Sequence, residues 1–176
     1  SLLRRNIRFA RIQSAIDKGY LHGVGITAAG YASARSTTFF QAAEGVASWS
    51  RTRRNGMRQP LNLEHLMASI AVPMIFPPVT VGTEYFGDGA MRQATPLSPA
   101  IHLGADRIMV IGVRNESALP IPDATQPQVY PSFAQIAGYM LDTLFMDGLY
   151  SDLEHMTRIN QLIDSDPEHQ RRKPSL

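Results

Sequence analysis

Apolar and polar positions along this chain follow two different periods. In "FARIQSAIDK", residues 9–18, Phe9, Ile12 and Ile16 recur at helical spacing and Gly19 follows as a stop, which predicts a helix. "HGVGITAAGY" and "RSTTFFQAA" are rich in β-branched and aromatic residues and predict two strands joined by a turn at "ASA". "SWSRTRRNGMRQP" is polar and without period, the pattern of a surface loop. In "NLEHLMASI" the spacing is helical again; Asn62 suits the N-cap, Glu64 the positive end of the dipole, and Pro73 bars extension much past Ser69.

"VTVGTEYF" predicts a strand running up to a turn at Gly87-Asp88-Gly89. "SPAIHLG" predicts a short helix with Ser98 as cap, Pro99 in the first turn and Gly104 as stop. "RIMVIGV" is apolar throughout, as a strand covered on both faces would be. Residues 115–131 hold Pro120, Pro122, Pro127 and Pro131 and predict a connector. Beyond it Phe133, Ile136, Met140, Leu144 and Phe145, then Leu149, Leu153, Met156, Ile159 and Ile163, keep a period near 3.6, with Asp147-Gly148 as an expected break between two helices. The tail from Asp164 onward is expected to fray. Strands alternating with helices predict an α/β layered fold.

Composition narrows the chemistry. The 176 residues contain no cysteine, which excludes disulfides, thiolate zinc sites and a cysteine nucleophile, and fits a reducing compartment. A formal net charge of +2 gives the chain no general attraction to nucleic acid, and none is expected as a partner. The most apolar stretch, "SIAVPMIFPPV", is too short and too proline-rich to span a membrane. The N-terminus lacks the pattern of a signal peptide, and the first residue is not methionine, so the expectation is a piece of something longer.

Asp88, between Gly87 and Gly89, is the strongest candidate for chemistry. Flanking glycines permit unusual backbone angles and close approach, and a carboxylate held there can orient or deprotonate a nucleophile. A turn aspartate bonded to its own backbone is the competing reading. "GVGITA", Gly23 to Ala28, matches a loose dinucleotide pattern, but it lies in a strand-like segment after a helix, the reverse of what phosphate binding needs. His22, His65, His102, His155 and His169 show no metal-ligand spacing, so no metal or other cofactor is expected. Asp147, Asp152 and Glu154 read as a solvated helix face. Arg51, Arg53, Arg54 and Arg58, just after Trp49, are either a solvated loop or a contact for lipid headgroups. No G-x-S-x-G occurs, and Ser69 and Ser98 read as a helix-end residue and a cap.

These residues carry a resemblance. "LEHLMASIAVPMIFPPVTV" and "YFGDGAMRQATPLSPAIHLGADRIMVIGV" look like the second half of a bacterial patatin-like phospholipase domain, and "FARIQSAIDKGYLHGVGITAAGYASARSTTFFQ" resembles its preceding helix and strand pair. The resemblance implies a partial doubly wound, three-layer α/β fold over 1–114, then a connector at 115–131, a helical extension at 132–165 and a flexible tail at 166–176. Members of that family are lipid acyl hydrolases with a serine–aspartate dyad. Their D-G-[GA] motif maps onto Asp88-Gly89-Ala90, which makes Asp88 the dyad's acid partner by resemblance. The family's oxyanion loop and serine precede the part that matches, so the chain is expected to be inactive alone. The implied partners are a lipid ester, the complementary N-terminal half, a membrane surface and a second copy of the chain. A cytoplasmic location, peripheral to the inner membrane face, is expected. A non-catalytic scaffold or membrane-surface binding module is the alternative reading.

Overall fold

The computed structural model describes residues 2–111 and 130–165. In chain order the elements are α1 (Leu2–Asn6), α2 (Ala10–Asp17), β1 (Gly23–Gly30), β2 (Ser36–Ala42), β3 (Trp49–Ser50), β4 (Arg54–Arg58), α3 (Leu63–Ser69), β5 (Val79–Val81), β6 (Glu84–Asp88), α4 (Ser98–His102) and α5 (Phe133–Ser165), with a 3₁₀ turn over Gly89–Arg92. The strands form one sheet in the order β3-β4-β2-β1-β6-β5. β2 and β4 run parallel, and the other neighbours run antiparallel, so the sheet is mixed. The fold is α/β, as expected.

β2 is buried along its whole length because both faces of the sheet are covered there. On one face Phe39 packs edge-on to Phe86 and against the ring of His65 in α3, with Ala28, Leu61 and Ala68 completing the cluster. Phe9 and Ile12, beside and within α2, pack against the same cluster. On the other face Phe40, Trp49 and His102 stack in sequence, with ring centroids 4.9 and 4.6 Å apart, which fastens α4 to the sheet. Gly56 lies beneath the indole, where a Cβ would collide with Trp49. The expected three layers are therefore helices on both faces of a sheet.

Several elements follow their local signals. α2 stops at Gly19, whose φ is +72°, the left-handed stop that glycine provides. At α3, the Asn62 side chain accepts the His65 amide at 3.2 Å while His65 Nδ1 accepts the Asn62 amide at 3.1 Å, a reciprocal cap.

Other elements depart from expectation. The polar stretch 48–60 is no loop: it holds β3 and β4. β4 is specified by its surroundings, through the Thr37 hydroxyl donating to Asn55 at 2.9 Å and Trp49 lying on Gly56. The single strand expected over 79–86 is a hairpin, turned at Gly82, whose φ is +62°. Residues 107–111 of "RIMVIGV" form no strand; Met109 and Ile111 are each 83% exposed, since no described strand lies alongside to bond with them. Ser98 does not cap α4: Leu97 is the N-cap residue, and its amide is bonded by Asp152 instead. α5 is one helix through Asp147-Gly148, because each glycine within it, Gly138 and Gly148, costs only about 1 kcal/mol in a 33-residue helix. Leu149, Leu153, Met156 and Ile159 are half-buried, whereas Phe133 and Met140 are exposed. Most of the connector and the tail from 166 lie outside the described residues.

Candidate functional site

Asp88 ends β6, and its neighbour across the sheet is Ala28 of β1. Its amide donates to the Ala71 carbonyl at 3.0 Å, so the segment after α3 continues the sheet edge beside it. Its side chain is buried, at 8% exposure. Oδ1 accepts the Ala90 amide at 2.9 Å, which caps the 3₁₀ turn. Among the described residues Oδ2 has no hydrogen bond, and no serine bonds to the carboxylate. Burial pushes the carboxyl pKa up, against a smaller opposing effect of the Ala90 hydrogen bond. A carboxylate in this state has one oxygen fixed and one available, and a stronger appetite for a proton than an exposed aspartate.

The flanking glycines serve close approach rather than unusual angles. Neither Gly87 nor Gly89 has a positive φ. A Cβ on Gly89 would strike the Thr27 carbonyl, and one on Gly87 would meet the Tyr31 hydroxyl at 2.6 Å. With Ala90 closing the turn, the sequence G-D-G-A places the carboxylate by letting the chain pass tightly over β1.

The arginines do not act as one group. Arg58 is engaged within the fold: its guanidinium donates to the carbonyls of Ala42, Ala43 and Val46 at 2.6, 3.1 and 2.7 Å. Those carbonyls at and beyond the end of β2 need a donor, and Arg58 supplies it from the adjacent strand. Arg51 and Arg53 are exposed. Arg54 is half-buried and donates from one terminal nitrogen to the Thr95 hydroxyl. Together with Arg92, which the sequence did not single out, Arg51, Arg53 and Arg54 line a 370 Å³ hollow. The packing of the 3₁₀ turn on β1 and β2 brings Arg92 there.

Asp152, expected on a solvated face, is buried: its Oδ2 accepts the Leu97 amide at 2.9 Å. Glu154 does stay in solvent, paired with Arg158 one turn on. Ser98 is buried beside His102, 3.3 Å from its Nδ1, but that nitrogen also lies 2.8 Å from the Ser98 carbonyl, a local helix arrangement rather than an activated hydroxyl. "GVGITA" lies inside β1, with no helix N-terminus to receive a phosphate. Among the described residues, no three potential ligands cluster around a metal position, and no helix is long and apolar enough to cross a membrane.

A 90 Å³ hollow lined by Met67, Ile70, Ala71, Phe76, Pro77 and Val79 adjoins the Ala71 carbonyl that holds Asp88. Its walls are almost wholly apolar. Beside it, Met74, Ile75 and Phe76 are exposed. Asp88 itself lines neither this hollow nor the arginine one.

No curated protein and no solved structure matches the chain. The family model of patatin-like phospholipases matches residues 2–101, a span that covers the whole sheet, Asp88 and the turn after it. More than half of the sequence falls within that match, and its sheet carries helices on both faces: the chain belongs to the patatin-like phospholipase family, whose members are lipid acyl hydrolases.

Proposed function

We propose that the chain supplies the acid partner, Asp88, of a serine–aspartate dyad that cleaves carboxylic esters of lipids. The observation that carries this reading is the state of the carboxyl: buried, raised in pKa, fixed through Oδ1 and unbonded at Oδ2 among the described residues. As the serine hydroxyl attacks the ester carbonyl, Asp88 takes its proton. It returns that proton to the alcohol oxygen as the acyl–oxygen bond breaks, leaving an acyl-serine. Asp88 then accepts a proton from water as the water attacks, and passes it to the serine oxygen as the acyl–serine bond breaks and the fatty acid leaves. The apolar hollow beside Ala71 and the exposed Met74, Ile75 and Phe76 suit an acyl chain.

The serine and the oxyanion donors come from a segment outside these 176 residues, because no G-x-S-x-G occurs in them. The uncovered apolar run Met109 to Ile111 supports this, as a strand from that segment would cover it. The site of action is the cytoplasm, at the inner membrane face.

Fluorophosphonate labelling with intact mass spectrometry tests the assignment. The 176-residue chain alone takes no label. A polypeptide that carries the family's serine segment ahead of it takes one label, and Asp88→Asn lowers the labelling rate by about 10²–10⁴-fold. A label on a serine within the 176 residues overturns the proposal.

A further inference from the structure

The arginine-lined hollow lies apart from the carboxylate. The strand register separates it from Asp88. Asp88 lies across from Ala28, and Ala28 across from Thr37, on the face where Phe39 and α3 pack. Ser36 and Thr38 alternate with Thr37 and so lie on the opposite face, where they line the hollow with Trp49. The sheet therefore stands between this hollow and the carboxylate, and the hollow is not part of the proposed reacting centre.

Its lining is one-signed. Arg51, Arg53, Arg54 and Arg92 face it, and no aspartate or glutamate lines it. No salt bridge engages these arginines among the described residues. Arg54 gives the sharpest signal: its Nε is buried and has no hydrogen-bond partner, although the same guanidinium reaches Thr95. A buried N–H of a charged group left without an acceptor costs more than most single interactions contribute. A tetrahedral oxyanion would satisfy it, since guanidinium groups match phosphate oxygens in pairs. The hydroxyls of Thr52 and Thr95 add neutral donors at the wall.

We infer that this hollow binds a phosphate group, carried either by a lipid headgroup or by a soluble phosphate, at a site separated by the sheet from Asp88. A volume of 370 Å³ admits a phosphate with a small substituent. Bound at a bilayer, such a group would hold the face with Trp49 and α4 towards the headgroups.

Trp49 is the chain's one tryptophan and lines the hollow, so its emission reports occupancy directly. Inorganic phosphate is titrated into the full chain at constant ionic strength. A saturable change in Trp49 emission is expected, weakened at least tenfold in an Arg53→Gln, Arg92→Gln double variant, about what the loss of one charge-assisted hydrogen bond gives. Both arginines are exposed and neither donates a hydrogen bond among the described residues, so the variant keeps the fold, checked by circular dichroism. Arg11→Gln, an exposed change on α2, leaves the response intact. Flotation with phosphatidylcholine vesicles, with and without phosphatidic acid, separates the sources. Capture only by the acidic vesicles, reversed by free phosphate, assigns a headgroup; a phosphate response without capture assigns a soluble ligand. No saturable response and no capture that depends on Arg53 and Arg92 overturns the inference. The readouts need no hydrolysis, so they stand apart from the fate of the Asp88 assignment.

Discussion

Asp88 shows how one residue can be costly to the fold and useful to chemistry. Its folded pKa is raised by burial, so between the ordinary carboxylate value and the raised one the folded state binds more proton than the unfolded chain. Stability contributed by the neutral form is present below that window and lost as pH rises through it. An asparagine in its place would accept the Ala90 amide without carrying charge. Asp88→Asn is therefore expected to match the wild type in strongly acidic solution and to exceed it above the window, read as melting temperature against pH. A variant less stable at neutral pH would mean the ionised carboxylate has a partner that stabilises it. His65 behaves in the opposite sense. Burial lowers its pKa, and Nδ1 must stay unprotonated to accept the Asn62 amide, so its contribution is present above the ordinary histidine value and lost as pH falls through the lowered one. Both proteins share His65, so their difference isolates Asp88.

At the scale of elements, α5 is tied to the domain by a carboxylate. Asp152 is buried and accepts the amide of Leu97, which is buried too. Asp152→Ala strands that N–H away from water and should cost about 1–3 kcal/mol, whereas Asp152→Asn keeps an acceptor and should cost less than about 1 kcal/mol. Urea denaturation of the three proteins checks the order. Equal loss in both variants would show that the charge, not the hydrogen bond, holds α5. The same scale explains two departures from the sequence pattern. β4 is built from Arg, Asn, Gly and Met, poor strand material by composition, and forms because β2 lends it a parallel edge and Trp49 covers its glycine. "RIMVIGV" is good strand material, and over 107–111 it forms none, because strand pairing needs a partner.

Across the whole molecule, the apolar surface left open among the described residues includes Met109 with Ile111, Phe133 with Met140 on α5, and Met74 to Phe76. A protein with such patches is expected to associate with itself when nothing else covers them. Light scattering across a concentration series should show mass rising above 19.4 kDa, and Met109→Glu with Ile111→Glu should reduce the rise. A mass that stays at the monomer value throughout would show that these patches are too small or too scattered to pair. The proposed serine-bearing segment would compete for the first patch, so the self-association and the completed enzyme exclude one another there.

Much was legible from the sequence by itself. Period and caps defined α2 and α3, β-branched and aromatic runs defined β1 and β2, and the segments around Gly87-Asp88-Gly89-Ala90 carried the family. These are local signals, since a cap, a period or a tight turn is written in neighbouring residues. Tertiary structure alone decided the rest. It sent Arg58 to the carbonyls of Ala42, Ala43 and Val46, gathered Arg92 with Arg51, Arg53 and Arg54, and buried Asp152 against Leu97. Each of those arrangements joins separate stretches of the chain, and whether a charged side chain meets water, a carbonyl or another cation depends on what the fold brings beside it.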